Sequence, residues 1–255
     1  MTPEKAPEMG KEVGAPNPAQ VPATMGSMKL GRGHEEPSEM DELEIPRAKL
    51  VQFTSGEAKA QNKDDKRDAG VLINSLTKEA LGEFFIPIFK FTNFIQWNPM
   101  KKEDPNFDPA FEKGEMVFST SERRDPRVVE GIKFGPNGEA PKVTKYMNFL
   151  CYFVGHTYPL VLSFAKTSFA AGKRLNTLTQ VGGGDMFSCK YKLVVEMKEN
   201  AGQSFFVLDV KPAGKATEEE FKIAEHWYEE FRGKNIKVHT DGEQAPAAGE
   251  GPWPE

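Results

Sequence analysis

The stretch LVLSFAKTSFAAGKRL, residues 160–175, contains the Gly172-Lys173 pair that a phosphate-binding loop would use. A Walker A loop requires a glycine, four residues, and then Gly-Lys followed by Ser or Thr, because its N–H groups and hydroxyl hold phosphates and Mg²⁺. Here Thr167 occupies the position of the first glycine, and Arg174 follows Lys173. The sequence therefore argues against nucleotide hydrolysis and leaves a strand-to-helix junction that carries Lys166, Lys173 and Arg174.

Residues that could bind a metal or act as nucleophiles are scattered along the chain. The four histidines never pair at the spacing of metal ligands: His34, His156, His226 and His239. Cys151 and Cys189 lie in apolar runs and are interpreted as free thiols. No Gly-x-Ser-x-Gly motif is present. We predict a non-enzymatic protein without a metal or cofactor, since a nuclease would need a carboxylate cluster that only the fold could assemble.

Basic and aromatic residues alternate in the middle of the chain. Residues 140–192 contain seven Lys or Arg side chains and one acid, Asp185, although the whole chain has a net charge of −5. Proteins that bind single strands need cations along the phosphates and flat rings on which bases stack. The predicted phosphate contacts are Lys145, Lys166, Lys173, Arg174, Lys190 and Lys192. The predicted stacking residues are Tyr146, Tyr152 and Trp97. A second part of the site could contain Trp97 with Lys90, Lys101 and Lys102.

The strand period assigns these side chains to faces. As a strand, KYMNFLCYFV places Met147, Phe149, Cys151 and Phe153 on a core face. Tyr146 and Tyr152 lie on the other face, where we expect them to be exposed. Most aromatic residues of a β-rich domain belong to its core and most lysines are simply solvated, so the argument depends on the local excess of positive charge.

Short runs rich in β-branched and aromatic residues predict a mainly β fold. The runs are GVLINSL, EFFIPIFKFTNFIQW, GEMVFST, TKYMNFLCYFVG, PLVLSFAK, FSCKYKLVVEMKE and SFFVLDVKPAG. Pro87 indicates that the second run is an edge strand or a bulged strand. Helices are predicted over 167–181 and over 217–231, where Thr217 and Glu220 form a capping box. These elements suggest an OB-like barrel of five to seven strands with one inserted helix and a C-terminal helix.

The composition divides the chain into three parts. Residues 1–42 are rich in Pro, Glu and Gly and are predicted to be a disordered tail. Residues 43–238 are predicted to form one β-rich domain. Residues 239–255 contain four acids and no Lys or Arg and are predicted to be a disordered acidic tail. No secretory signal and no apolar run long enough to span a membrane is found, so we expect a protein of the cytoplasm, with no membrane partner.

Several segments resemble a family of bacteriophage-encoded proteins. They are IPRAKLVQ, INSLT, FIPIF, DPRVVEGIKFGPNGEAPK, LVLSFAKTSFAAGKRLNTL and VLDVKPAG, within residues 43–232. Some members of that family are assigned to single-stranded DNA binding, so the resemblance implies a role in phage replication or recombination in the host cell cytoplasm. Replication or recombination proteins would then be partners of the C-terminal tail, and a homo-oligomer stays open. The alternative is a phage virion or host-interaction protein that does not bind nucleic acid.

Overall fold

The computed structural model describes residues 45–136, 138–200, 202–234 and 236, so both predicted tails, 1–42 and 239–255, lie outside the described residues. Eight strands and four α-helices follow one another along this part of the chain. The strands are β1 (Ala48–Leu50), β2 (Leu72–Asn74), β3 (Phe84–Trp97), β4 (Met116–Thr120), β5 (Val143–Phe153), β6 (Leu160–Phe164), β7 (Cys189–Asn200) and β8 (Gln203–Lys215). The helices are α1 (Gly56–Lys59), α2 (Pro126–Gly131), α3 (Phe169–Val181) and α4 (Glu218–Phe231).

The strands β3 to β8 form a six-stranded antiparallel sheet in the order β6-β5-β3-β7-β8, with β4 also paired to β3. The mainly β prediction is confirmed. The closed barrel is wrong, because β6 and β8 lie at opposite ends of the sheet. One edge of β3 pairs with β5 over nearly its whole length, and the other edge is shared by β7 at Phe84–Phe85 and β4 at Phe94–Trp97. The sheet therefore divides beside β3.

Both faces of the sheet are covered, which a barrel with a single interior would not require. Residues 146–153 of β5 are all buried, a pattern typical of a strand enclosed on two sides. One face packs Phe149 and Phe153 against Leu175 of α3, and we call it the α3 face. The opposite face packs Leu150 and Tyr152 against Trp227 of α4, and we call it the α4 face.

The two predicted long helices are confirmed, and each has a local cause. Gly172 lies where α3 crosses β6, and a Cβ atom added there would lie 2.7 Å from the Cβ atom of Phe164. The glycine lowers helix propensity but allows this close approach. At the start of α4, the Thr217 hydroxyl accepts the Glu220 N–H, while the Glu220 carboxylate accepts the Thr217 N–H.

Smaller features confirm or correct the sequence interpretation. A bulge follows Pro87 in β3, as predicted. The β7–β8 hairpin is present, with Asn200 opposite Gln203. The segment between β4 and β5, where the sequence patterns predict no helix, contains α2, which Asp125 caps by accepting the Arg127 N–H. Among the described residues, no helix combines the length and apolar character that a membrane span requires.

Candidate nucleic-acid interface

The structure divides the predicted site between the two faces of the sheet. Lys145 lies on the α3 face, since its neighbours in β5 at alternate positions, Met147 and Phe149, pack there. Lys190 and Lys192 lie together, as the alternation predicts, but on the α4 face, because Tyr191 between them belongs to the core of the α3 face. One continuous site cannot contain both groups.

The α4 face also contains the three predicted stacking residues, Tyr146, Tyr152 and Trp97. Tyr152 is 5% exposed and packs with the core residues under α4. Burial raises the pKa of its phenol, with a smaller lowering contribution from a hydrogen bond that the Gly155 backbone donates to the phenol oxygen. Tyr146 is 8% exposed, and its hydroxyl oxygen accepts a 3.0 Å hydrogen bond from the Nε1 atom of the half-buried Trp97. The expectation that both tyrosines are exposed is wrong because α4 and its neighbours cover this face.

The two lysines of β7 are held in ion pairs. The Nζ atom of Lys190 lies 2.9 and 3.1 Å from the two carboxylate oxygens of Glu220, the capping residue of α4. Burial acts to raise the pKa of Glu220, but hydrogen bonds from Thr217 and Lys190 outweigh it and lower this pKa. Lys192 pairs with Glu83 at 2.9 Å and lies over the ring of Phe84. These contacts fix β7 to α4 and to the start of β3, so both lysines have structural partners.

At the strand-to-helix junction, the three predicted cations have different surroundings. Arg174 is 54% exposed and forms an ion pair with Asp209 of β8. The same Asp209 carboxylate also accepts the Val210 N–H, so Arg174 supports the edge of the sheet. Lys173 is exposed on α3. Lys166 is half-buried in the turn before α3, with a left-handed φ of 46°.

A group of three cations gathers on the α3 face. We call Lys90 of β3, Arg123 before α2, and Lys145 of β5 the basic cluster. Burial lowers the pKa of Lys145, and the positive charges of Arg123 and Lys90 lower it further. Among the described residues, no carboxylate lies within ion-pair distance of any member of the cluster. The cluster therefore brings three positive charges together, an arrangement suited to an anion.

Packing on both sides holds the basic cluster in place. Lys145 is opposite Phe94, which packs against Val128 of α2 and brings Arg123 nearby. The ammonium of Lys145 also lies 5.5 Å from the centre of the Phe169 ring at the start of α3. Lys90 is opposite Phe149 and donates a 2.7 Å hydrogen bond to the Oδ1 atom of Asn176. The cluster thus occupies the strip of sheet between α2 and α3.

Sequence reasoning found Lys145 but missed Arg123, and it gave Lys90 only a secondary place. Arg123 lies in a segment where the sequence patterns predict neither a strand nor a helix, so no side-chain alternation indicated that it lies near β5. The available signal was Asp125-Pro126, since an Asp cap followed by Pro is typical of a helix start. Recognising α2 would have placed Arg123 at a fixed helix entry.

The described residues bear on two other kinds of chemistry, metal binding and thiol reactivity. Within the described ranges, no group of three His, Cys, Asp or Glu side chains is arranged to hold a metal ion. Cys151 is buried and Cys189 half-buried, and neither forms a disulfide. Burial raises the pKa of the Cys151 thiol well above its ordinary value, which makes it a poor nucleophile.

Comparison with known families identifies the kind of protein. Residues 11–237 match the profile of the Pam3 phage gp34-like protein family. The chain belongs to this family. Its membership confirms the phage-encoded family that the resemblance implies, over a longer range than the resembling segments. No curated protein and no solved structure matches the chain.

Proposed function

We propose that this phage-encoded protein is a non-enzymatic single-stranded DNA-binding protein of replication or recombination. The observation that carries the proposal is the basic cluster, because three cations that pair with no carboxylate in the described part of the chain stand together on one face of the sheet. Nucleic-acid phosphates are the polyanion that such a cluster binds. Lys145 and Lys173 remain from the predicted contacts, and Lys90 and Arg123 join them.

The surroundings of the cluster favour a polymer over a single small anion. Lys90 and Lys145 lie on adjacent strands, Arg123 lies beside α2, and Lys173 is exposed on α3, so the charges spread across several elements. A polynucleotide offers phosphates at regular intervals along such a path. The acidic residues 239–255 would then serve contacts with replication or recombination proteins in the host cytoplasm.

A salt titration with a fluorescent oligo-dT strand tests the proposal. We expect micromolar or tighter binding at about 50 mM salt, and log K that falls linearly with log salt concentration. The double variant Lys90→Glu/Arg123→Glu should weaken binding about tenfold or more. It should also reduce the magnitude of the salt slope by about 1.4, because each phosphate contact on a single strand contributes about 0.7.

The matched control is Lys198→Glu/Lys234→Glu, which changes the net charge equally at two exposed positions on the β7–β8 hairpin and after α4. This control variant should keep most of the affinity for oligo-dT. Equal losses of affinity in both double variants would show that the effect comes from the total charge and not from the basic cluster. No oligo-dT binding by the wild-type protein at about 50 mM salt would contradict the proposal. That result would favour the alternative of a virion or host-interaction protein.

A further inference from the structure

The divided edge of β3 lies beside the basic cluster. On this edge β3 pairs with β7 at Phe84–Phe85 and with β4 from Phe94 onward. Between these positions, no described strand pairs with this edge. The division therefore leaves a short open segment inside the sheet.

The hydrogen-bond alternation shows which backbone groups face this opening. In an antiparallel ladder, successive residues direct their N–H and C=O groups to opposite sides. The Phe84 carbonyl accepts the Val154 N–H of the β5 side, whereas the Glu83 carbonyl accepts the Leu193 N–H of β7. After the bulge, the N–H and C=O groups of Phe89 and Phe91 point toward β5. Lys90 and Thr92, which alternate with them, direct their N–H and C=O groups into the opening.

These backbone groups have no partner within the described part of the chain. No hydrogen bond joins the N–H or C=O of Lys90 or Thr92 on this side to another described residue. Lys90 is exposed and Thr92 half-buried, and the turn Met186–Ser188 also contacts β3. Pro87 lies on the same side of the strand, and its missing N–H therefore costs no bond to β5.

A ligand for this opening must combine hydrogen-bonding edges with negative charge. A β residue presents its N–H and C=O side by side, and a strand edge of this kind pairs with any group that offers an acceptor beside a donor. The Watson–Crick edge of an unpaired base has that arrangement, and its phosphates carry the charge that Lys90, Arg123 and Lys145 attract. In a duplex these edges are already occupied by the partner strand.

We propose that the N–H and C=O groups of Lys90 and Thr92 pair with the Watson–Crick edges of unpaired bases whose phosphates bind the basic cluster. This inference rests on the proposed function and adds the means by which single strands are distinguished from duplexes. It requires no exposed aromatic ring at the opening, which is consistent with the burial of Tyr146 and Tyr152. An extended acidic peptide is the competing ligand for such an edge.

The decisive variant is Thr92→Pro, which removes the N–H that faces the opening and spares the bonds to β5. Its binding to an oligo-dC strand of about twelve nucleotides should weaken about fivefold, as expected for one lost hydrogen bond. Its binding to an abasic strand of the same length, which keeps phosphates and loses bases, should be unchanged. Thr92→Val keeps the N–H and should bind both strands like the wild type.

Amide hydrogen exchange on the wild-type protein supplies a second test that needs no substitution. Exchange at Lys90 and Thr92 should slow when oligo-dC is added and should not slow with the abasic strand. Equal affinity of the wild type for the intact and abasic strands would overturn the base pairing and leave the proposed function standing. The base pairing would also be overturned if Thr92→Pro weakened binding to both strands equally or to neither strand.

Two further results distinguish a failure of this inference from a failure of the proposed function. Protection of these amides by a synthetic peptide of residues 239–255, without protection by oligo-dC, would overturn the inference and identify a peptide site. Failure of the wild type to bind any strand in the salt titration would overturn the proposed function itself.

Discussion

The ammonium group of Lys90 on β3 donates a 2.7 Å hydrogen bond to the Oδ1 atom of Asn176 on α3. This bond joins the sheet to the helix beside the basic cluster and leaves the positive charge of Lys90 uncompensated, because an amide oxygen is neutral. The identity of residue 176 therefore controls how much positive potential the cluster presents.

Asn176→Asp should weaken oligo-dT binding about threefold, since a carboxylate at this position forms a surface ion pair with Lys90. The magnitude of the salt slope should fall by about 0.7, the contribution of one phosphate contact. A fluorescence titration at several salt concentrations measures both. Gln203→Glu makes the same amide-to-carboxylate change at an exposed position on the hairpin, and an equal effect there would contradict a local role for Asn176.

Lys173 and Arg174 should separate in their effects, although they are neighbours on α3. Lys173→Ala should weaken oligo-dT binding and reduce the salt slope by about 0.7. Arg174→Ala should change binding less, because its guanidinium already pairs with Asp209. The same titration measures the affinity of both variants. A larger loss of affinity in Arg174→Ala than in Lys173→Ala would show that the ion pair opens when nucleic acid binds.

Tyr152→Leu tests the assignment of this ring to the core. The variant should lower the free energy of unfolding by about 1–3 kcal/mol, since the leucine fits the buried site imperfectly and the phenol's hydrogen bond is lost. Oligo-dT affinity of the folded variant should be unchanged. Urea unfolding and the titration together measure the two quantities, and a normal stability with reduced affinity would restore Tyr152 as a stacking residue.

The bond between Lys190 and Glu220 predicts a pH dependence of stability. Because hydrogen bonds hold the pKa of Glu220 below its ordinary value of 4.5, its stabilisation is complete above that value and is lost as the pH falls through the folded-state pKa. Glu220→Gln should lower the free energy of unfolding by about 1 kcal/mol near neutral pH, because it removes the ion pair with Lys190 and a negative charge from the first turn of α4, while its amide oxygen still completes the capping box.

The difference between Glu220→Gln and the wild type should narrow as the pH falls below 4.5, because the wild-type carboxylate becomes protonated. Urea unfolding at several pH values measures this difference. Glu230→Gln removes a carboxylate from an exposed position of the same helix and serves as the control. A gap between Glu220→Gln and the wild type that stayed constant with pH would contradict the assigned ion pair.

The sequence predicted the strands well because each element depends on local patterns. The alternation in β5 correctly placed Phe149 and Phe153 in a core, and the capping box correctly started α4. The sequence could not show what covers the second face of the sheet, since that depends on the packing of α4 against strands that are distant from it in the chain. The near-continuous apolar run around Leu150 was the available sign of a strand buried on both sides.

Charge partners were hidden for the same reason. Lys190 and Glu220 are far apart in the chain, and only the packing of α4 on the sheet brings their side chains within 2.9 Å. The excess of basic residues in 140–192 was real, but the sheet divides those residues between two faces. Arg123, outside that stretch, joins Lys145 because Val128 of α2 packs in one cluster with Phe94, the residue opposite Lys145.

The outer edge of β8 is sealed by side chains. The Gln52 amide bonds to both backbone groups of Phe206, the Ser168 hydroxyl accepts the Leu208 N–H, and the Asp209 carboxylate accepts the Val210 N–H. A strand edge whose donors are satisfied in this way is a poor template for another chain. Copies crowded side by side along one nucleic-acid strand would therefore not join through their β8 edges.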